Sequence, residues 1–249
     1  MIHASAMIRR LDVALLPSEA LALEADCFVV VDLLRATTTI ATLFAAGLDH
    51  LLVVDDVDPA REAARKSGDL LFGEVGGLPP EGFDHGNSPI EAAAAPVAGK
   101  GAILFTTNGT TALCSLVSRG AVLAGALANA GAVASIAAGY ERVVLVCAGE
   151  SRGLRFAGED FLAAGVIARR LTALVPDIEL GDAAALAIRT ASSPDFQHLV
   201  RATHHARNLA TLNLTPDIAF ALREDTSLAA PAVVASGEGW ALLQHTGQG

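Results

Sequence analysis

The chain has 249 residues, of which 52% are apolar and 4% aromatic, and it carries a formal net charge of −10. That apolar content excludes a disordered chain, and the acidic balance excludes a nucleic-acid binder, which needs a basic footprint. No apolar run reaches the length of a membrane span, and the length allows one large domain or two small ones.

Residues 8–16 read as a first strand ending at Pro17, and the β-branched run 27–32 reads as a buried one. The hydroxyls of Thr37, Thr38 and Thr39 offer N-caps for a helix that runs to Ala46 and stops at Gly47. A strand follows at 50–54. Asp58 is the expected cap of a helix with Pro59 at its first position and Gly68 at its end. After a short strand at 69–73, the stretch 74–101 is rich in glycine and proline. It is too long for an ordinary connection and reads as either a functional loop or a mobile one.

A strand at 102–106 leads to a helix starting at Thr110 or Thr111. A strand at 121–124 leads to an Ala-rich helix capped by Asn129. The strand 142–147 runs into the loop 148–153. From Gly158 to Leu174 the apolar residues recur every three to four positions, the helical period. Residues 181–212 read as helical with breaks near Ser192–Pro194 and at Thr203, and the tail holds strands at 232–236 and 240–243. Strands alternating with helices indicate a three-layer α/β/α fold with a mostly parallel or mixed central sheet. We take residues 1–249 as one domain, with a second lobe from about residue 130 as the alternative.

The first seven residues, Met1 to Met7, lack the charged-then-apolar pattern of a secretory leader. Cys27, Cys114 and Cys147 form no short-spaced pair, which suits buried free thiols in a reducing compartment. The expected setting is cytoplasmic, with no membrane partner, and a homo-oligomer is compatible with it.

Three strand-like runs end in polar residues, and the carboxyl ends of strands form the ligand crevice of open α/β sheets. Asp32 ends the first as either a helix cap or a hard oxygen ligand for Mg²⁺. Arg35 suits either a pair with Asp32 or a bidentate grip on an anion. Thr38 and its neighbours add hydroxyls at a helix start, a cradle for anions. The second run ends at Glu74, with Asp84 and Asn87 further along the glycine-rich loop, where Asn-Ser-Pro also suits a simple turn. In the third, Thr107, Asn108, Gly109 and Thr110 make a donor-rich turn. Asn108-Gly109 offers the left-handed conformations of a backbone nest, and helix capping is the plainer alternative. The turn lacks the lysine of a P-loop.

Cys147 and Arg152 have four residues between them, one short of the thiol-phosphatase spacing, and a buried thiol is usually inert. Glu159 and Asp160 open a helix either as dipole compensation or as further carboxylates for a metal. His204 and His205 point about 100° apart on a helix, so they do not chelate together. One of them could donate a proton to a leaving oxygen.

Taken together, the stretches Val31–Ile40, Gly82–Pro89, Thr106–Thr110, Cys147–Gly149, and Glu159-Asp160 with Ala164-Gly165 resemble the 2-phosphosulfolactate phosphatase family. Asp182, Pro216-Asp217-Ile218 and Asp225 with Pro231 match it more loosely. The resemblance implies a Mg²⁺-dependent phosphatase that releases phosphate from 2-phospho-3-sulfolactate, an early step where coenzyme M is made. Val75 departs from the arginine that often follows the loop glutamate in that family.

On this reading Asp32, Glu74 and Asp84, with Glu159 or Asp160, hold the metal. Arg35 and Thr107–Thr110 bind the phosphoryl oxygens, and Asn87 orients ligand or loop. The partner is then a small anionic phosphate ester. A phosphatase for another phosphorylated hydroxy acid, or a phospho-ligand binding protein without turnover, are the competing readings.

Overall fold

Strand β2 (Cys27–Val31) is five consecutive apolar residues, all fully buried. Burying a valine or phenylalanine side chain contributes about 1.5–3 kcal/mol, so this run has to sit at the centre of a sheet covered on both faces. The computed structural model, which describes residues 7–246, places it there, between β6 (Ala121–Gly125) and β7 (Arg142–Cys147), parallel to both. Beyond β7 lie β1 (Arg10–Ala14) and β8 (Glu179–Leu180), also parallel. A second parallel block holds β4 (Leu70–Gly73), β5 (Gly101–Phe105) and β3 (His50–Val54). Between the blocks the tail inserts an antiparallel hairpin, β9 (Pro231–Gly237) and β10 (Trp240–His245), giving the order β4-β5-β3-β10-β9-β6-β2-β7-β1-β8. The sheet is therefore mixed and joins strands from both halves of the chain.

Three antiparallel junctions in succession reverse the nominal strand sense between the blocks. Even so, the carboxyl ends of β2, β5 and β7 meet: the Arg152 N–H after β7 donates to Asn108 Oδ1 after β5 at 2.9 Å, and Gly109 lies against Asp32. The sheet thus turns on itself, by strand twist, across two weak points. One is the single Leu123–Ala232 bridge joining β6 to β9, and the other is the bulge at Leu242/Leu243. Helices α2 (Ala36–Ala45) and α5 (Gly109–Leu116) fill the turn. Their Ile40, Leu43 and Leu113 share one core with Phe28 and Val30 of one block and with Leu51, Val53 and Leu104 of the other. On the outer faces, α6 (Ala130–Ala137) and α7 (Gly158–Leu174) cover the β2 block, and α3 (Val57–Ser67) covers the β3 block. Among the described residues no helix is long and apolar enough to cross a membrane. Of the segment Met1–Met7, expected to carry no secretory leader, residues 1–6 lie outside the described residues.

Local signals place most elements within a residue or two, with these differences. Helix α2 begins at Ala36 with Arg35 at its N-cap and no side-chain cap bond, so Thr37, Thr38 and Thr39, the expected caps, lie inside it. The cap of α3 is Asp56, whose carboxylate accepts the Val57 N–H at 2.6 Å; Asp58 sits inside the first turn. Gly68 ends that helix with φ 77°, a left-handed conformation that only glycine adopts without strain. The stretch 74–101 is not all loop: Ser88 caps a short helix, α4 (Pro89–Ala94), with Pro89 in its first turn. Downstream, α8 (Asp182–Ala191), α9 (Phe196–Arg201) and α10 (His204–Thr211) break at the expected places. A further helix, α11 (Thr215–Ala221), starts at Thr215-Pro216, a start signal that the sequence reading passed over. An N-terminal helical turn, α1 (Pro17–Ala20), follows β1.

Candidate active site

Asp32 stands at the end of β2 with 5% of its surface exposed. Its Oδ1 accepts the Ala36 N–H at 3.1 Å, so it caps the first turn of α2, and its Oδ2 faces Gly109. Burial pushes its carboxyl up to about 6; His205 and the Ala36 N–H oppose the rise, and the charges of Glu74 and Glu159 add to it. Thr37 and Thr38 are structural here. Thr37 bonds the Asp32 backbone, and Thr38 donates to Leu33 O at 2.8 Å and is fully buried away from the cavity.

The turn after β5 brings α5 against Asp32. A Cβ on Gly109 would stand 2.5 Å from Ala36 Cβ and 2.8 Å from Asp32 Oδ2, so only glycine permits this approach. The expected left-handed nest does not form: Asn108 has φ −117°, and Gly109 is not among the positive-φ glycines. The helix itself starts at Gly109, one or two residues earlier than the expected Thr110 or Thr111, so Gly109 is helical and its role is steric. Thr110 locks the turn by donating to Thr106 O at 2.7 Å and accepting the Thr106 N–H at 3.0 Å.

Glu74, at the end of β4, pins two loops with one carboxylate. It accepts the Thr107 N–H and the Gly77 N–H, each at 2.8 Å. Asp84 is elsewhere. It is exposed, and its Oδ2 accepts the Leu71 N–H at 2.8 Å beside β4, where it fastens the returning loop. Asn87 is buried at 3% exposure, lines the cavity, and leaves its Oδ1 without a partner. Arg35 is buried and pairs not with Asp32 but with Asp217 of α11 at 2.7 Å, while its second terminal nitrogen donates to Gly77 O at 2.6 Å.

Opposite these, Asp160 at the start of α7 accepts the Leu33 N–H at 2.9 Å and the Gly149 N–H at 3.0 Å, clamping the ends of β2 and β7 together. Burial, then the charges of Asp32 and Glu159, hold its carboxyl well above the usual range despite both bonds. Glu159, at 1% exposure, meets His205 Nδ1 with Oε1 at 3.1 Å and has no partner for Oε2. Burial works against the His205 imidazolium, but the bond to Glu159 and the charges of Glu159, Asp32 and Glu150 outweigh it and raise the pKa. His204 turns away to Glu150 at 2.9 Å.

Together these groups enclose a cavity of about 260 Å³. Its walls include Asp32, Arg35, Glu74, Asn87, Thr107 and Asn108, with Glu150, Ser151, His205 and Asn208 closing the far side. Thr38, Asp84, Gly109, Thr110, Glu159 and Asp160 do not line it; all but Asp84 brace residues that do, or their backbone neighbours. Sequence reasoning overlooked Glu150, Asn208 and the buried partnership of Asp217 with Arg35. The start signal at Thr215-Pro216 and the looser family match at Pro216-Asp217-Ile218 were the cues to the last of these. Both cations at the site, Arg35 and His205, are already matched by Asp217 and Glu159, so the surplus charge is negative.

Cys147 and Arg152 do not form a thiol site. Cys147 is fully buried in β7, its pKa driven well above the usual thiol range by burial and the nearby acids, and Arg152 reaches Asp55 O instead. Burial first, then a neighbouring carboxylate, pushes Cys27 and Cys114 to about 12. The native protein is expected to give no rapid thiol reaction with a disulfide reagent at pH 8 and to release all three cysteines on unfolding. Fast labelling of Cys147, or loss of turnover in Cys147→Ala, would restore a nucleophilic thiol.

Known proteins resemble this chain over most of its length. A family model described as 2-phosphosulpholactate phosphatase matches residues 14–236. A probable 2-phosphosulfolactate phosphatase of Deinococcus radiodurans is 40% identical over 215 residues, covering 84% of this chain and 88% of its own. One from Thermotoga maritima is 36% identical, with 83% and 88% covered, and one from Thermus thermophilus is 37% identical, with 90% and 94% covered. With the family model spanning most of its length and such relatives matched nearly end to end, this chain belongs to the 2-phosphosulfolactate phosphatase family.

Proposed function

We propose that the protein hydrolyses 2-phospho-3-sulfolactate to 3-sulfolactate and inorganic phosphate with the help of Mg²⁺. The observation that carries the metal is a pair of buried acids, Asp32 in the cavity wall and Glu159 behind it. Glu159 Oε2 has no partner in a fully enclosed position, and Asp32 is held above its ordinary pKa by burial. A buried carboxylate oxygen without a hydrogen bond is costly unless a cation meets it. Among the described residues no three His, Cys, Asp or Glu side chains form a chelating group on their own. That suits Mg²⁺, which binds through one or two carboxylates plus substrate phosphate and water.

The five expected metal carboxylates therefore divide. Asp32 and Glu159 are the two fitted to hold the ion. Both oxygens of Glu74 and of Asp160 are occupied by backbone N–H groups, and Asp84 lies outside the cavity. Bound there, the ion would polarise a phosphoryl oxygen and lower the pKa of a water.

The remaining work falls to the chain. Arg35 and Asn87 orient the anionic ester, and the Thr107 hydroxyl and Asn108 amide in the cavity wall meet the equatorial oxygens as charge develops. Glu74 keeps the Thr107 turn and the Gly77 loop in register. His205, oriented by Glu159, supplies a proton to the departing ester oxygen. The reaction belongs to coenzyme M synthesis in a host that makes it, and the buried reduced thiols favour a cytoplasmic setting.

Phosphate release from phosphosulfolactate, measured with and without EDTA, tests this reading. Turnover is expected to vanish in chelator and return with added Mg²⁺, while full activity in EDTA sinks the metal role. A panel of other phosphorylated hydroxy acids fixes the substrate. Tight phosphate-ester binding without product would instead identify a binding protein.

A further inference from the structure

Resting on the phosphatase reading, we infer that Asp217 is a positioning residue: it fixes the fork of Arg35 and offsets its charge, so that the guanidinium acts through geometry. Three buried contacts carry this. Asp217 Oδ2 accepts from Arg35 at 2.7 Å, Asp217 Oδ1 accepts the Ser88 hydroxyl at 2.7 Å, and Arg35 donates to Gly77 O at 2.6 Å. Arg35 and Asp217 are 4% and 3% exposed, and Arg35 and Gly77 both line the cavity. One carboxylate thus ties α11, the start of α4 and the start of α2 into a single unit around the arginine.

Stability alone does not account for such a pair. The desolvation of two buried ions roughly cancels their attraction, and apolar residues of the same shape do as well or better. Here the arginine lies three residues from Asp32 and faces the reaction space. With terminal nitrogens committed to Asp217 and Gly77 O, its plane is set before any ligand arrives, and the cost of orienting it is met in folding. Its charge is also largely offset. An arginine left unopposed in a buried cavity would grip inorganic phosphate and slow product release; paired with Asp217, it keeps its donors and gives up that excess attraction.

Asp217→Asn preserves shape and removes the charge. In the folded variant, calorimetry is expected to show inorganic phosphate binding at least about threefold tighter, while kcat falls at least about tenfold as Arg35 loses its fixed plane. Both changes should disappear when the substitution is made in an Arg35→Gln background. A purely structural Asp217 would lower the melting temperature without tightening phosphate, and its effect would persist in that background.

Unchanged or weaker phosphate affinity in folded Asp217→Asn overturns the inference alone. Wild-type protein that binds no phosphate overturns the phosphatase reading along with it. Should Asp217→Asn fail to fold, Ser88→Ala decides. It releases one oxygen of Asp217 and is expected to lower kcat about threefold, a loss absent in Arg35→Gln; wild-type kcat in Ser88→Ala then overturns the inference.

Discussion

Asp32→Asn is expected to lower kcat at least about 100-fold, because a Lewis-acid ion held by that carboxylate contributes several kcal/mol to the transition state. The same substitution should stabilise the metal-free protein at neutral pH. Asp32 is buried, and its carboxyl is raised from 3.8 to about 6 in the fold. Between those values the folded state holds more of the proton than the unfolded state does. Stability from this group is therefore greatest in acid and falls as pH rises through that window. Asparagine keeps an acceptor for the Ala36 N–H and carries no charge, so the loss does not occur.

Thermal melts in EDTA at pH 4 and pH 7 give the comparison, read beside turnover in Mg²⁺. The variant should melt higher than the wild type at pH 7, by several degrees, with the gap narrowing at pH 4. Near-normal turnover would remove Asp32 from the reacting centre, and an equal melting temperature at pH 7 would mean that its charge is compensated within the chain.

Gly109→Ala should be nearly as damaging for a different reason. The added methyl would sit 2.5 Å from Ala36 Cβ, which cannot swing aside, and 2.8 Å from Asp32 Oδ2, whose carboxylate is held by the Ala36 N–H. Overpacking of this kind costs about 1–3 kcal/mol. The strain is relieved by moving α5 away from β2, which separates the helix start from Asp32. A displacement near 1 Å at a reacting centre can lower the rate about 100-fold. A modest fall in melting temperature with a large fall in kcat is the expected pattern. Unaltered turnover would show that the α5 start takes no part in binding the phosphoryl group.

Strands, helices and their stops were legible in the chain because their causes are local. The Cys27–Val31 run, the Asn129 start, the Gly68 stop and the breaks at Ser192–Pro194 and Thr203 each depend on residues a few positions apart. The candidate site was legible in outline for the same reason: polar residues that follow buried strands fall at the strand ends. Asp32, Glu74, Asn87, Thr107 and Asn108 all reach the cavity. What each carboxylate does there was not legible. Glu74, Asp84 and Asp160 look alike as ligands in sequence, yet each is absorbed by backbone N–H groups, those meeting Asp160 lying 127 and 11 residues away.

The sequence by itself determined which segments become strands and helices, that their ends carry oxygen-bearing groups, and which family they resemble; these follow from side-chain period, capping and residue order. Only the tertiary structure decided the insertion of the tail hairpin between two parallel blocks, the curl that brings their carboxyl ends together, and the pairing of Arg35 with Asp217 across 182 positions. Such contacts are set by how twisted layers pack and by which buried charge finds a counter-charge, and neither leaves a mark in the neighbouring residues.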